Sequence, residues 1–202
     1  LAARGPAGGH DDRTAPKPTL QTEETNVLLN AEDSVLVLVD LQARLMPAIH
    51  DGERVLRECA RLARIAGMLG VPVIGTEQSP ASLGQNLAEI RQLCGLTVAK
   101  DHFDGCEDGL AEALPAGRKT VAIAGCEAHV CVLQTAMGLL RRGYGVSLVT
   151  DAAGSRQPAS HAAAAERLRQ AGAAVVTVEM AAFEWMRSSR HARFRDVLAL
   201  VR

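Results

Sequence analysis

Short, unbroken apolar runs alternate with stretches of helical period from residue 31 onward. The first run is residues 34–40 (SVLVLVD), apolar almost throughout and closed by an acid. Strict alternation would mark a strand with one wet face. A continuous run predicts a strand buried on both faces, as in a parallel sheet. Runs over 71–76 (VPVIGT), 120–125 (TVAIAG), 145–151 (GVSLVTD) and 174–178 continue the series, and 96–100 is a shorter run ending in a cation. Pro72 stands near the start of its run, where a missing N–H is tolerated. Between the first two runs, residues 52–70 place Val55, Leu56, Cys59, Leu62, Ala63 and Ala66 on one helical face, with arginines opposite and Gly70 as a stop. The same reading predicts helices over 85–94, 128–142 and the Ala-rich 157–171, then short ones over 179–186 and 191–200, with a loop over 77–84.

Strands alternating with helices predict an α/β fold: a doubly wound, six-stranded parallel sheet in a three-layer αβα arrangement. Residues 1–30 have no apolar period and hold Gly5, Pro6, Gly8, Gly9, Pro16 and Pro18. They are expected to form a flexible tail, or an arm that orders against a partner, leaving 31–202 as one domain. The tail begins on Leu1 rather than Met, so a processed or targeting segment stays open, although Asp11, Asp12, Glu23 and Glu24 count against a transit peptide.

Lys plus Arg number 22 against 23 for Asp plus Glu, a net charge of -1 that argues against nucleic acid as a partner. Aromatics are only 2% of the chain, which argues against a base-stacking platform. No apolar stretch approaches the roughly 20 residues of a membrane span. The five cysteines are odd in number, follow no secretory signal and contain no CxxC pair. Free thiols, a reducing and therefore cytoplasmic location, and no zinc site are the expectation.

In open parallel sheets, ligands bind at the carboxyl ends of the strands. Asp40 ends the first run, Lys100 ends the third, and Cys131 lies in the first turn of the helix after TVAIAG. Each has an ordinary reading alone: a loop cap, a surface charge, a small buried apolar residue. Together they form a coherent set. A thiol is a poor nucleophile until it loses its proton. A helix N-terminus and a lysine favour the thiolate, and a carboxylate can take the proton and return it to a leaving amine. Free N–H groups of the turn Gly125-Cys126-Glu127-Ala128 into that helix are candidates for an oxyanion hole. Gln42, His102, Phe103 and His129 are candidates for lining a substrate pocket; each is equally readable as a structural polar group or a loop side chain. Asp151 and Arg156 read as a loop ion pair.

The segments LVLVDLQ, VAKDHFD and AGCEAHVCVLQTA resemble the isochorismatase-like cysteine hydrolase superfamily, over about residue 31 to the end. TEQSPASLG, EAHVCVLQTA and FEWMRSSRHARFRDV are most similar to its isochorismatase domain-containing protein group. The resemblance implies a Rossmann-like sheet carrying an Asp40–Lys100–Cys131 catalytic triad, and a non-proline cis peptide between Cys126 and Glu127. It also implies the Glu127 and Cys131 amides as the oxyanion hole. It implies a hydrolase of small amides or related C–N bonds that works through a Cys131 thioester, and a homo-oligomer. Nicotinamidases in the superfamily hold a metal on Asp and His residues after the second strand; TEQSPASLGQN has no His and one acid, Glu77, so no metal or cofactor is expected. Ala128-His129 stands where many relatives have a Thr-Asp type pair, so specificity is expected to differ. Two other classes compete. A non-catalytic oligomeric interaction protein on the same fold would be expected to have lost one of the three residues. A dinucleotide oxidoreductase would need GxGxxG where DLQARL stands.

Overall fold

The computed structural model describes residues 28–202 together with residue 2. The rest of the expected tail lies outside the described residues. Of its last three positions, Leu28 is exposed but Leu29 is buried, and the Leu29 N–H donates to Glu184 at 2.8 Å.

The strands are β1 (Ser34–Val39), β2 (Val73–Gln78), β3 (Leu96–Lys100), β4 (Thr120–Cys126), β5 (Gly145–Gly154) and β6 (Ala174–Val176). They form one parallel sheet in the order β3-β2-β1-β4-β5-β6. The helices are α1 (Gly52–Met68), α2 (Pro80–Leu83), α3 (Ala88–Arg91), α4 (Leu110–Ala113), α5 (Leu133–Arg141), α6 (Pro158–Gln170), α7 (Val178–Met186) and α8 (Phe194–Val201). Strand order reverses between β1 and β4, which opens a crevice at their carboxyl ends.

The pleat of β1 shows why its run is apolar on every residue from Val35 to Val39. Leu36 and Leu38 enter one core with Cys59, Leu62 and Ile65 of α1, Trp185 of α7 and Val197 of α8. Val35, Val37 and Val39 enter the other with Leu110 of α4, Leu139 of α5 and Leu168 of α6. Each such side chain contributes roughly 1.5–3 kcal/mol on burial. The five together outweigh the cost of about 1–3 kcal/mol for a left-handed non-glycine residue at the strand's end. That residue is Asp40, at φ 52.

Several boundaries differ from the sequence reading, each for a local reason. The helix expected over 85–94 shrinks to the single turn α3, because residues 85–87 pair with the segment after β1. Gln42 and Asn86 form an antiparallel bridge, and the Leu87 N–H donates to the Leu41 carbonyl. Strand β2 starts and ends two residues later than expected, so Glu77 and Gln78 lie in the sheet rather than in a loop. Strand β5 runs on past Asp151 to Gly154, with a register shift against β4 after Ile123. Asp151 is therefore inside the strand, where its carboxylate accepts the Val178 N–H at the start of α7. Strand β6 stops early because Thr177 caps α7, accepting the Met180 N–H.

Candidate active site

Asp40 leaves β1 wholly buried. Its Oδ1 accepts the Thr76 hydroxyl at 2.6 Å and its Oδ2 accepts Lys100 Nζ at 2.8 Å. Both side chains of that ion pair are 0% exposed. Removing two charges from water costs several kcal/mol per ion, and only full hydrogen bonding offsets it. The ammonium meets that condition. Besides Asp40, Lys100 Nζ donates to Gln78 Oε1 at 2.6 Å and to the His102 carbonyl at 3.4 Å.

Gln78, at the end of β2, joins the remaining parts. Its Nε2 donates to the Asp101 carbonyl at 2.7 Å. Its backbone N–H donates to Gln42 Oε1 at 2.8 Å, and Gln42 Nε2 returns a bond to the Gln78 carbonyl at 3.0 Å. Cys131 Sγ lies 3.8 Å from the same Gln78 Oε1 that receives Lys100. Cys131 sits in a single π turn, Ala128–Val132, between β4 and α5. The sheet thus brings Asp40, Gln42, Lys100 and Cys131 into one buried cluster.

The electrostatics of the cluster oppose the pull of Lys100 and the helix start toward thiolate. Burial pushes the Cys131 thiol up to about 12, and the Asp40 charge raises it further than Lys100 lowers it. Burial and the Asp40 charge thus favour the protonated thiol over the thiolate. Burial likewise pushes Cys106 up to about 12 and Cys94 to about 11, and raises Cys59 and Cys126.

The peptide bond between Cys126 and Glu127 is cis. The Glu127 carboxylate faces away from any general role in the cluster: its Oε2 accepts the Arg156 N–H at 3.1 Å and Nε at 3.0 Å. Arg156 thus pairs with Glu127 rather than with Asp151. His129 Nδ1 is 3.0 Å from Ser155 Oγ. His102 turns outward, its Nδ1 3.0 Å from Asp108 Oδ1; this hydrogen bond raises the His102 pKa, and bonds from His102 lower that of Asp108. Phe103 is 50% exposed, and its carbonyl accepts the Thr135 hydroxyl. His102 therefore meets this cluster through its backbone carbonyl rather than its side chain, and Phe103 bonds Thr135 outside it.

Thr76 and Gln78 were missed by the sequence reading. A usable signal was present: the polar triplet Thr76-Glu77-Gln78 directly continues an apolar run, at the sheet edge where ligands bind. Gly125, by having no side chain, lets β4 lie close against the end of β1. It has φ 110, and a Cβ there would lie 2.1 Å from the Val39 carbonyl oxygen.

The isochorismatase domain pattern matches residues 34–180. The chain belongs to the isochorismatase family. Isochorismatase domain-containing protein 2A of Mus musculus is 33% identical over 174 residues, covering 85% of this chain and 84% of that protein. The structure of MAR1 ribonuclease from Caenorhabditis elegans aligns with a TM-score of 0.81 at 32% identity, covering 86% of this chain and 92% of that one. The ycaC gene product of Escherichia coli, described as an octameric hydrolase of unknown specificity, aligns with a TM-score of 0.76 at 25% identity, covering 86% and 95%. The six-stranded sheet with helices on both faces is the isochorismatase-like α/β fold of these neighbours. Among the described residues, no helix is long and apolar enough to cross a membrane, and no group of three or more His, Cys, Asp or Glu is placed to hold a metal.

Proposed function

We propose that this family member is a cysteine hydrolase of a small amide or related C–N bond, with Cys131 as nucleophile and Asp40 and Lys100 as its partners. The observation that carries the reading is the wholly buried Asp40–Lys100 pair beside the Cys131 thiol. A buried pair of this kind is a poor way to stabilise a core, since apolar residues of the same volume do as well or better. Its value lies in proton traffic.

A thiol that burial favours in its protonated form sets the order of events in this reading. Substrate binds first, and Asp40 takes the Cys131 proton as sulfur attacks the carbonyl carbon. The new C–S bond leaves an oxyanion facing the backbone N–H groups of Glu127 and Cys131. Lys100 holds Asp40 in place and balances the charge around it. As the oxyanion collapses, the C–N bond breaks and protonated Asp40 gives its proton to the departing amine. Water then attacks the thioester carbonyl, Asp40 accepts a proton from it, and the carboxylic acid leaves as the Cys131 thiol is restored. In this reading Gln42 braces Gln78 from within the cluster, and His102, Phe103 and His129 belong to the rim. Proximity of a fixed base supplies the ionisation that burial denies to the free thiol.

The test is Cys131→Ala assayed against a library of small amides and ureas. The expected result is loss of turnover with an unchanged thermal melt; full activity in that variant would overturn the assignment. The name of the C. elegans relative favours a second reading, RNA cleavage. Incubation with RNA alongside the library separates the two, because RNA cleavage that survives Cys131→Ala would need a different site. The octameric relative supports assembly of several copies, which sedimentation would count.

A further inference from the structure

Outside the candidate active site, and sharing none of its residues, a second polar cleft lies along α1. This helix buries Val55, Cys59, Leu62 and Ala66 and turns Arg57, Arg61 and Arg64 outward. Spacings of four and three place the three guanidiniums in one row. With Ala60, Glu89 of α3 and Leu200 of α8, they line a cleft of about 320 Å³. That volume is at the small end of ligand sites.

The charges in this cleft do not neutralise one another. Arg61 pairs with Glu58 of its own helix at 3.3 Å. Among the described residues, neither Arg57 nor Arg64 forms an ion pair. Glu89 is the one acid among the lining residues. Like charges at these spacings destabilise a helix, and the Arg61–Glu58 pair and the single Glu89 offset that cost only in part. Planar guanidinium forks match phosphate oxygens and bind them in pairs.

We propose that this cleft binds a small phosphate-bearing molecule. Arg57 and Arg64 hold the phosphate oxygens, Arg61 adds a third positive charge, and the Ala60–Leu200 floor receives an apolar part. A small ligand fits better than a polymer, because α3 and α8 bound the cleft and the chain's net charge of -1 provides no wide basic footprint.

The test uses the full chain and inorganic pyrophosphate, with binding read by calorimetry and by the arginine Nε–H resonances. Arg57→Gln, Arg64→Gln and the double variant are compared with Arg167→Gln, an exposed arginine on α6. Saturable binding at one site is expected, weakened about tenfold or more in the double variant and unaffected by Arg167→Gln. The double variant should melt no lower than the parent, because like-charge contact is relieved; the single variants give a reading if the double does not fold. Shifts spread over all arginines without saturation, or equal binding in the variants, would overturn the proposal. So would single-stranded RNA of about 20 nucleotides binding about 100-fold more tightly than pyrophosphate, with steep salt dependence, since that would make the row a nucleic-acid surface.

Discussion

Replacing Asp40 with Asn should move thiol labelling and turnover in opposite directions. A thiol held at about 12 is ionised to about one part in 10⁴ at pH 8, against about a quarter for an ordinary cysteine near 8.5. The thousandfold deficit is partly recovered, because the more basic thiolate is the better nucleophile. With a Brønsted slope of about 0.4–0.5, the recovery is about 25–55-fold. Cys131 should therefore alkylate about 50-fold more slowly than an open thiol, before its low exposure is considered. After burial itself, the Asp40 charge is the largest influence raising that thiol. A unit charge about 4 Å away, at an effective dielectric of 20, is worth about 4 kcal/mol, or about three decades of thiolate. Allowing for the weaker nucleophile, Asp40→Asn should speed iodoacetamide labelling of Cys131 by up to about 30–60-fold. Hydrolysis should fall by about 100-fold or more, because the general base is gone. The variant leaves Lys100 buried without its counter-charge, at about 3–5 kcal/mol in stability. Cys59, wholly buried on the other side of the sheet, is the internal monitor of unfolding. The assay is a mass-spectrometric time course on peptides between pH 7 and 9.5, with thermal melts. Unchanged or slower Cys131 labelling in a folded Asp40→Asn protein would refute the argument, because Asp40 would then be generating thiolate in the free protein.

Three further outcomes are expected. Stability should fall as pH rises above about 8.5: unfolded thiols begin to ionise there while buried Cys59 and Cys126 stay protonated, so the unfolded state binds fewer protons. Each of these two thiols contributes about 1.4 kcal/mol per pH unit until its own folded pKa is reached, and a flat profile in urea unfolding between pH 8 and 10 would contradict this. Gly125→Ala should cost more than about 4 kcal/mol, because its Cβ has no room beside Val39 at a φ that side chains rarely adopt; a variant melting within a few degrees of the parent would show that β1 and β4 can separate. Gln78→Leu should lower turnover by about 10–100-fold and stability by about 1–3 kcal/mol, since Lys100 loses an acceptor it cannot replace from water; unchanged kinetics would mean that Lys100 needs only Asp40.

Much of the fold was legible because burial on both faces leaves an unmistakable trace. SVLVLVD and TVAIAG have no polar alternation, and their strands lie at the centre of the sheet between two cores. The two charged residues of the cluster were legible for the same reason: Asp40 and Lys100 end apolar runs, and a charge at that point interrupts a pattern. Gln78 was not, because Pro72 blurs the start of β2, and a two-residue error there moves Thr76, Glu77 and Gln78 into a loop. The length of α3 was equally hidden. What shortens it is pairing with residues 41–43, and no local propensity encodes a partner more than forty positions away. The electrostatics of Cys131 lay beyond residue types altogether, since a lysine and a helix start favour thiolate on paper, whereas depth of burial and the larger effect of Asp40 favour the protonated thiol.

The register of three strands explains why so few residues suffice to build the cluster. Asp40 and Lys100 come from strands separated by β2, so their backbones stand about 9–10 Å apart across the sheet. Val39 pairs with Thr76 and Gln78 pairs with Lys100, so Lys100 lies beyond the last pair of β1 and must reach back across β2. Thr76, small and carrying a hydroxyl, lies beneath that reach and bonds the same carboxylate that Lys100 seeks. Gln78, two residues on and therefore on the same face of the pleat, catches the ammonium from the other side. Period-two alternation thus puts Thr76 and Gln78 of β2 under one lysine. A shift of one residue in the pairing of β2 would turn both away and present Glu77 instead, placing a second carboxylate beside Asp40. The site therefore depends on strand register as much as on the three residues that would do its chemistry.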